Sequence, residues 1–180
     1  MKTALLVVDI QNDLIENVPY QIQNSLFIWQ KLITSCRKKG VEVIYVRHHD
    51  EELVFDSHGW KIYDGVAPKA GEKIFDKQYN SAFKETSLQE YLASQAFNHL
   101  VIIGMATDYC IDTTVKVAFE LGYQVTITIP KNGTTTFDSD FLTAKQLQKH
   151  YEAIWHNRFA KVKTIEEILK EDLYLLKKNF

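Results

Sequence analysis

Short apolar runs alternate with helix-period stretches along the whole chain, and this alternation limits the fold more than any other feature. Ala4 to Val8 is an unbroken apolar run that ends at Asp9. Such a run reads as a strand buried on both faces. Further β-rich runs follow at Val41 to Val46, Leu100 to Ile103, Tyr123 to Ile129 and Phe159 to Val162, with a shorter one at Lys73 to Phe75. Between them, Ser25 to Lys39 carries Leu26, Trp29 and Ile33 at helical spacing and stops at Gly40, a C-terminal signal. Helical patterns also span Leu88 to Ala96, Thr113 to Leu121 before Gly122, Thr143 to Trp155, and Thr164 to Leu169. Strand and helix in regular turn predict an α/β fold, a three-layer α/β/α sandwich around a mainly parallel sheet of about six strands. At 180 residues, with no repeat and no linker, the chain is expected to be a single domain over 1–180.

Composition removes several function classes. A net charge of −2 supplies no field for nucleic acid or an acidic membrane surface, so neither is expected as a partner. Lys2 precedes an apolar run that Asp9 cuts short, too brief for the apolar core of a signal peptide, and no longer apolar span follows. The two cysteines, Cys36 and Cys110, suggest neither a disulfide framework nor a zinc cluster. A cytoplasmic protein is the expectation.

In parallel sheets ligands bind beyond the carboxyl ends of the strands. Three features fall there: Asp9, the His48–His49 pair, and the turn Gly104 to Cys110. Cys110 sits between a strand and a helix, where the partial positive charge and free N–H groups of a helix start favour thiolate over thiol. Asp9 follows five apolar residues, and partial desolvation there is expected to raise its pKa toward a general-base value. Lys77 follows the short run Lys73 to Asp76 and precedes polar and aromatic residues; a lysine beside a cysteine stabilises thiolate. Taken alone, each has a bland alternative: a helix cap for Asp9, a surface lysine for Lys77, an inert buried thiol for Cys110. Cys36, inside a helix pattern, is read as inert.

Three segments, Leu5-Leu6-Val7-Val8-Asp9-Ile10-Gln11-Asn12-Asp13-Leu14, Lys77-Gln78-Tyr79-Asn80-Ser81-Ala82-Phe83 and Gly104-Met105-Ala106-Thr107-Asp108-Tyr109-Cys110-Ile111-Asp112-Thr113-Thr114, together resemble the isochorismatase-like cysteine hydrolases. That superfamily includes nicotinamidases and N-carbamoylsarcosine amidohydrolases. The resemblance runs from about residue 3 to 165 and implies a six-stranded, Rossmann-like α/β sheet. It also implies an Asp9, Lys77, Cys110 triad, a non-proline cis peptide at Met105–Ala106, and an oxyanion hole from the backbone N–H groups of Ala106 and Cys110. The implied chemistry is hydrolysis of a small amide, or a related C–N carbonyl compound, through a thioester.

Departures from the family bear on substrate. Nicotinamidases carry a metal site after the second strand, built on Asp-x-His and a further His. Here His48-His49-Asp50 has the wrong order, and Asp56-Ser57-His58 has the spacing but lies later, without an evident third ligand. No metal and no cofactor are expected, and a nicotinamidase assignment is correspondingly weak. Isochorismatases proper typically lack the nucleophilic cysteine, so Cys110 argues against vinyl-ether cleavage. Gln11, His48, Trp60, Tyr79 and Tyr109 are candidates for the substrate pocket. Trp60 and Tyr63 read either as a lid or as packing for the long loop 48–72, and Asn132 to Thr136, which follows a strand, borders the site or does not. Partners expected are a small-molecule substrate and, from family habit and the apolar tail Asp172 to Leu176, further copies of this chain as a dimer or larger. Two other readings stand beside the hydrolase: a redox-sensing thiol protein, and a non-catalytic small-molecule binder on the same fold.

Overall fold

The computed structural model describes residues 1–128 and 133–170. Ile129, Asn132 and the tail 172–176, all used above, lie outside the described residues. The strands are β1 (Thr3–Val8), β2 (Glu42–His48), β3 (Lys73–Lys77), β4 (His99–Met105), β5 (Gln124–Thr128), β6 (Thr134–Thr135) and β7 (Lys161–Lys163). The helices are α1 (Asn12–Glu16), α2 (Ile22–Lys38), α3 (Leu88–Ser94), α4 (Asp112–Glu120), α5 (Ala144–Trp155) and α6 (Ile165–Lys170). A 3-10 turn covers Asp64–Val66, and a π-helical turn, Thr107–Ile111, leads into α4.

All strands run parallel in the order β3-β2-β1-β4-β5-β7, with β6 beside β4. The sheet therefore has seven strands rather than about six. The addition is β6, a two-residue strand that takes the edge of β4 at Gly104 and Met105, beyond the point where β5 stops. Two residues are too short to carry a hydrophobic period, and hydroxyls hold the strand instead. Thr134 meets Thr107 at 2.9 Å, the Gln148 amide donates to the Thr134 carbonyl at 2.8 Å, and Thr135 donates to the Tyr20 carbonyl at 2.6 Å.

β1 and β4 are buried along their whole lengths, which is why both read as continuous apolar runs. Their side chains alternate between two cores. Leu5 and Val7 pack with Trp29, Leu32 and Ile33 of α2 and Ile168 of α6. Ala4, Leu6 and Val8 pack with Leu88 of α3, Val115 of α4 and Trp155 of α5. Each fully buried large aliphatic side chain contributes about 1.5–3 kcal/mol, so both faces of the central strands are firmly specified. α5 starts with a capping box between Thr143 and Gln146, a signature readable in the sequence.

The long loop after β2 is fastened rather than loose. Gln11 is fully buried; its side-chain amide donates to the His48 and Trp60 carbonyls at 2.8 and 2.9 Å and accepts from the His48 amide at 2.8 Å. Trp60 is 6 % exposed, with the Arg47 guanidinium 3.3 Å from its ring centroid and the Phe55 ring at 4.4 Å. Of the two alternatives for Trp60, packing is the one seen. No helix among the described residues is long and apolar enough to cross a membrane.

Candidate active site

In this topology the chain moves outward from β1 through β2 to β3, then returns to the other side of β1 as β4. The switch point lies between β1 and β4, and the crevice beyond their carboxyl ends is the natural ligand site of such sheets. Val8 is paired with Gly104 on one side and Val46 on the other. A Cβ on Gly104 (φ +128°) would stand 1.9 Å from the Val8 carbonyl oxygen, so only glycine lets these two strand ends lie so close. The next residue, Asp9, turns out of the strand at φ 52°, a left-handed conformation that aspartate tolerates better than most residues. Its N–H still reaches the Val46 carbonyl at 2.9 Å.

Lys77 comes to the same place from the edge of the sheet, as the last residue of β3, in register with His48 at the end of β2. Its ammonium contacts Asp9 Oδ2 at 2.7 Å, Cys110 Sγ at 3.2 Å and His48 Nδ1 at 3.2 Å. Three partners match the three N–H bonds of an ammonium. His48 Nδ1 then accepts, which leaves its Nε2–H to donate to Asp50 Oδ2 at 2.9 Å. Asp50 Oδ1 accepts from the Leu53 and Glu52 amides at 2.7 and 2.9 Å. The Leu53 amide first, with His48 and the Glu52 amide added, holds the Asp50 carboxyl below the usual range against a smaller opposing effect of burial. One hydrogen-bonded chain therefore runs Asp50, His48, Lys77, Asp9.

Cys110 lies in the π-helical turn before α4, not at the start of α4 itself. π-turns inside helices recur at functional sites because they push one residue out of the regular ladder. The Ala106 carbonyl takes the amides of both Tyr109 (3.2 Å) and Ile111 (3.1 Å). The Met105–Ala106 peptide is cis. The Cys110 sulphur is also 3.7 Å from Asn80 Oδ1.

The electrostatics run against one expectation. A helix start was expected to favour thiolate, yet the Cys110 thiol is pushed up to about 12. Burial does most of this, the Asp9 carboxylate adds to it, and Lys77 opposes it. For Lys77, burial acts to lower its pKa, but Asp9 and the Cys110 sulphur outweigh burial and hold the ammonium above its ordinary value. The resting charges are then an Asp9 carboxylate and a Lys77 ammonium, side chains 2 % and 0 % exposed, beside a neutral thiol.

A cavity of about 710 Å³ opens over these residues. Asp9, His48, Met105, Ala106, Tyr109 and Cys110 line it, as do Thr136 and Phe137. Three candidates for the pocket stand elsewhere. Gln11 is spent on pinning the long loop, Trp60 is packed beneath Arg47, and Tyr79 turns toward Lys84, whose ammonium lies 3.8 Å from its ring centroid. His58 bonds to Glu16 at 2.8 Å rather than turning to the site. Among the described residues no three His, Cys, Asp or Glu side chains gather to hold a metal. Sequence reasoning missed the acidic and aromatic lining from Asp13, Asp108, Phe137 and Asp138. Asp13 and Asp108, inside the first segment and the cysteine segment, carried a signal; Phe137 and Asp138 lay outside all three segments.

The sequence model of the isochorismatase domain matches residues 3–167. The isochorismatase family protein YddQ of Bacillus subtilis (strain 168) is 32% identical over 180 residues, covering 94% of this chain and 100% of that protein. The nicotinamidase of Escherichia coli (strain K12) is 27% identical over 169 residues, covering 69% of this chain and 79% of that one. A crystal structure of an isochorismatase family protein superposes with a TM-score of 0.85 at 32% identity, covering 91% of this chain and 98% of that chain. The chain belongs to the isochorismatase family.

Proposed function

We propose that this isochorismatase-family hydrolase cleaves the C–N bond of a small amide or ureido compound, with Cys110 as nucleophile, Asp9 as general base and acid, and Lys77 as the charge that holds both. The observation that carries the reading is the Lys77 ammonium lying 2.7 Å from Asp9 and 3.2 Å from Cys110, two residues that line one cavity. The nicotinamidase relative supports an amide as the substrate class.

The high resting pKa of the thiol suits this scheme. Loss of the proton to solvent would leave two anions against one ammonium in a buried site. Transfer of the proton to Asp9 instead leaves a neutral acid and a thiolate–ammonium pair, with no change in net charge. The thiolate then forms a bond to the carbonyl carbon as the C=O π electrons move to oxygen. The N–H groups of Ala106 and Cys110 are the proposed donors to that oxyanion, each worth about 3 kcal/mol when well placed. The C–N bond breaks as Asp9 protonates the leaving nitrogen. A water, deprotonated by the same carboxylate, hydrolyses the thioester and returns the proton to sulphur. No cofactor enters the scheme.

A panel of primary amides, ureido acids and lactams, run against wild type and Cys110→Ala in parallel, tests the reading. Turnover of at least one compound should fall by a factor of about a thousand or more in the variant. Equal turnover in the two proteins removes Cys110 from the mechanism. The redox-sensing alternative gains little, since Cys36, the other thiol, is 1 % exposed within α2. The reading extends to one domain over 1–180, a cytoplasmic setting and a homo-oligomer. Exposed Phe141 (93 %) and Val18 (70 %) offer apolar surface for association, which light scattering after size exclusion would measure.

A further inference from the structure

The cavity over Cys110 has a charge that the whole chain does not. Overall the protein is almost balanced, with 23 acidic and 21 basic residues. Yet besides Asp9, six carboxylates line this one cavity: Asp13, Asp50, Glu52, Asp108, Asp138 and Asp140. No lysine or arginine among the described residues lines it. Elsewhere acids find cations: Glu72 pairs with Arg37, Asp76 with Arg47, and Asp112 with Lys116, each at 2.7 Å. Of the six, only Asp50 has a basic partner among the described residues, His48, which accepts from Lys77 and therefore brings no charge of its own.

Several of these carboxylates are held in place. Asp50 is fixed by two backbone amides, Asp108 accepts from the Thr136 hydroxyl, and Asp138 accepts from the Ala144 amide at 2.7 Å. Fixed like charges inside a concavity focus a negative potential. The rest of the lining suits the same ligand. Tyr109, 59 % exposed, and the half-buried Phe137 offer aromatic faces, and ring faces with carboxylates are the usual recognition chemistry for ammonium and guanidinium groups. At the floor Asp9, 1 % exposed, is paired with the Lys77 ammonium through Oδ2 at 2.7 Å.

We propose that the substrate is a cation: an amide or ureido compound bearing an ammonium or guanidinium group away from the scissile carbonyl, bound by this acidic, aromatic-lined cavity. The proposal rests on the amidase reading for the word amide, but not for the sign of the charge.

Two measurements separate those parts. The first labels Cys110 with a trimethylammonium-ethyl and a sulfonatoethyl methanethiosulfonate, each rate divided by that of a free thiol under the same conditions. The cationic reagent should react at least tenfold faster at low ionic strength, and the ratio should shrink in 0.5 M salt. In Glu52→Gln/Asp140→Asn, two exposed positions, the ratio should fall severalfold. Equal rates, or faster labelling by the anion, overturn the proposal. The second compares 5-aminopentanamide, hexanamide and adipamic acid as substrates, which differ only in the terminal charge. Here kcat/KM should fall in that order, at least tenfold from first to last, through KM. A neutral or anionic favourite overturns the proposal. Cation-preferring labelling with no turnover of any amide leaves the charge assignment standing and removes the amidase reading.

Discussion

The two cysteines of this protein have thiols pushed up to the same value, about 12, for different reasons. Cys36 is raised by burial, with Lys39 pulling slightly the other way; it sits in α2 among the core residues. Cys110 is raised by burial and then by Asp9, while Lys77 opposes both; it sits at the floor of a cavity. A high pKa therefore does not separate an inert thiol from a nucleophile. The difference is the acceptor. The Cys110 proton has a carboxylate to go to and an ammonium to leave the sulphur with. Cys36 feels the Lys39 ammonium but, among the described residues, no carboxylate, and its proton stays.

Replacing the acceptor tests this contrast most severely. Asp9→Asn should lower turnover about 10²- to 10⁴-fold, the usual worth of a general base. The same change removes one cause of the raised thiol, so the Cys110 pKa should fall. In wild type, iodoacetamide alkylation of Cys110 should rise about tenfold per pH unit from pH 7 to 9, because thiolate remains scarce throughout. In Asp9→Asn alkylation at pH 8 should be faster, while catalysis is slower. Slower alkylation alongside slower turnover would mean that Asp9 is not the group that holds the thiol protonated.

Lys77→Met leaves Asp9 as a buried, unpaired carboxylate. We expect a loss of about 3–5 kcal/mol in denaturant unfolding, together with a further rise in the Cys110 pKa. An intact midpoint would show that the pair contributes nothing to folding. His48→Gln removes the ring that accepts from Lys77 and donates to Asp50. Loss of one charge-assisted hydrogen bond is worth about 1–2 kcal/mol, so kcat should fall roughly tenfold with KM little changed. A rise in KM alone would make His48 a substrate contact rather than a positioning residue. The smallest effect belongs to the other cysteine. Cys36→Ala should cost about 1 kcal/mol of stability and leave kcat unchanged; a fall in kcat would break the comparison from the inert side.

Much of this architecture was legible beforehand, and the limits have physical causes. β1 and β4 are buried on both faces, so they read as apolar runs, and α2 and α5 were marked by helical patterning, with Gly40 closing α2. β6 and α1 were not read, because segments of two and five residues are held by specific hydrogen bonds rather than by a hydrophobic period. Gln11, Trp60 and Tyr79 were expected in the pocket and stand away from it. Proximity in sequence to Asp9 or Lys77 says nothing about which side of the backbone a side chain takes once the strand has ended.

The chain alone determined the α/β class, the two-faced burial of its central strands and the strand-end positions of Asp9, His48 and Cys110, since each follows from local periodicity. The family, too, was readable from three short segments. Strand order was decided only in three dimensions. It brings Lys77, at the end of the third strand in sequence, within 2.7 Å of a residue that follows the first. The direction of the thiol shift and the gathering of six further carboxylates at one cavity were decided there as well. Burial and Coulomb interaction depend on distances through space, and residues as far apart in sequence as Asp13 and Asp138 share a wall only once the sheet has assembled.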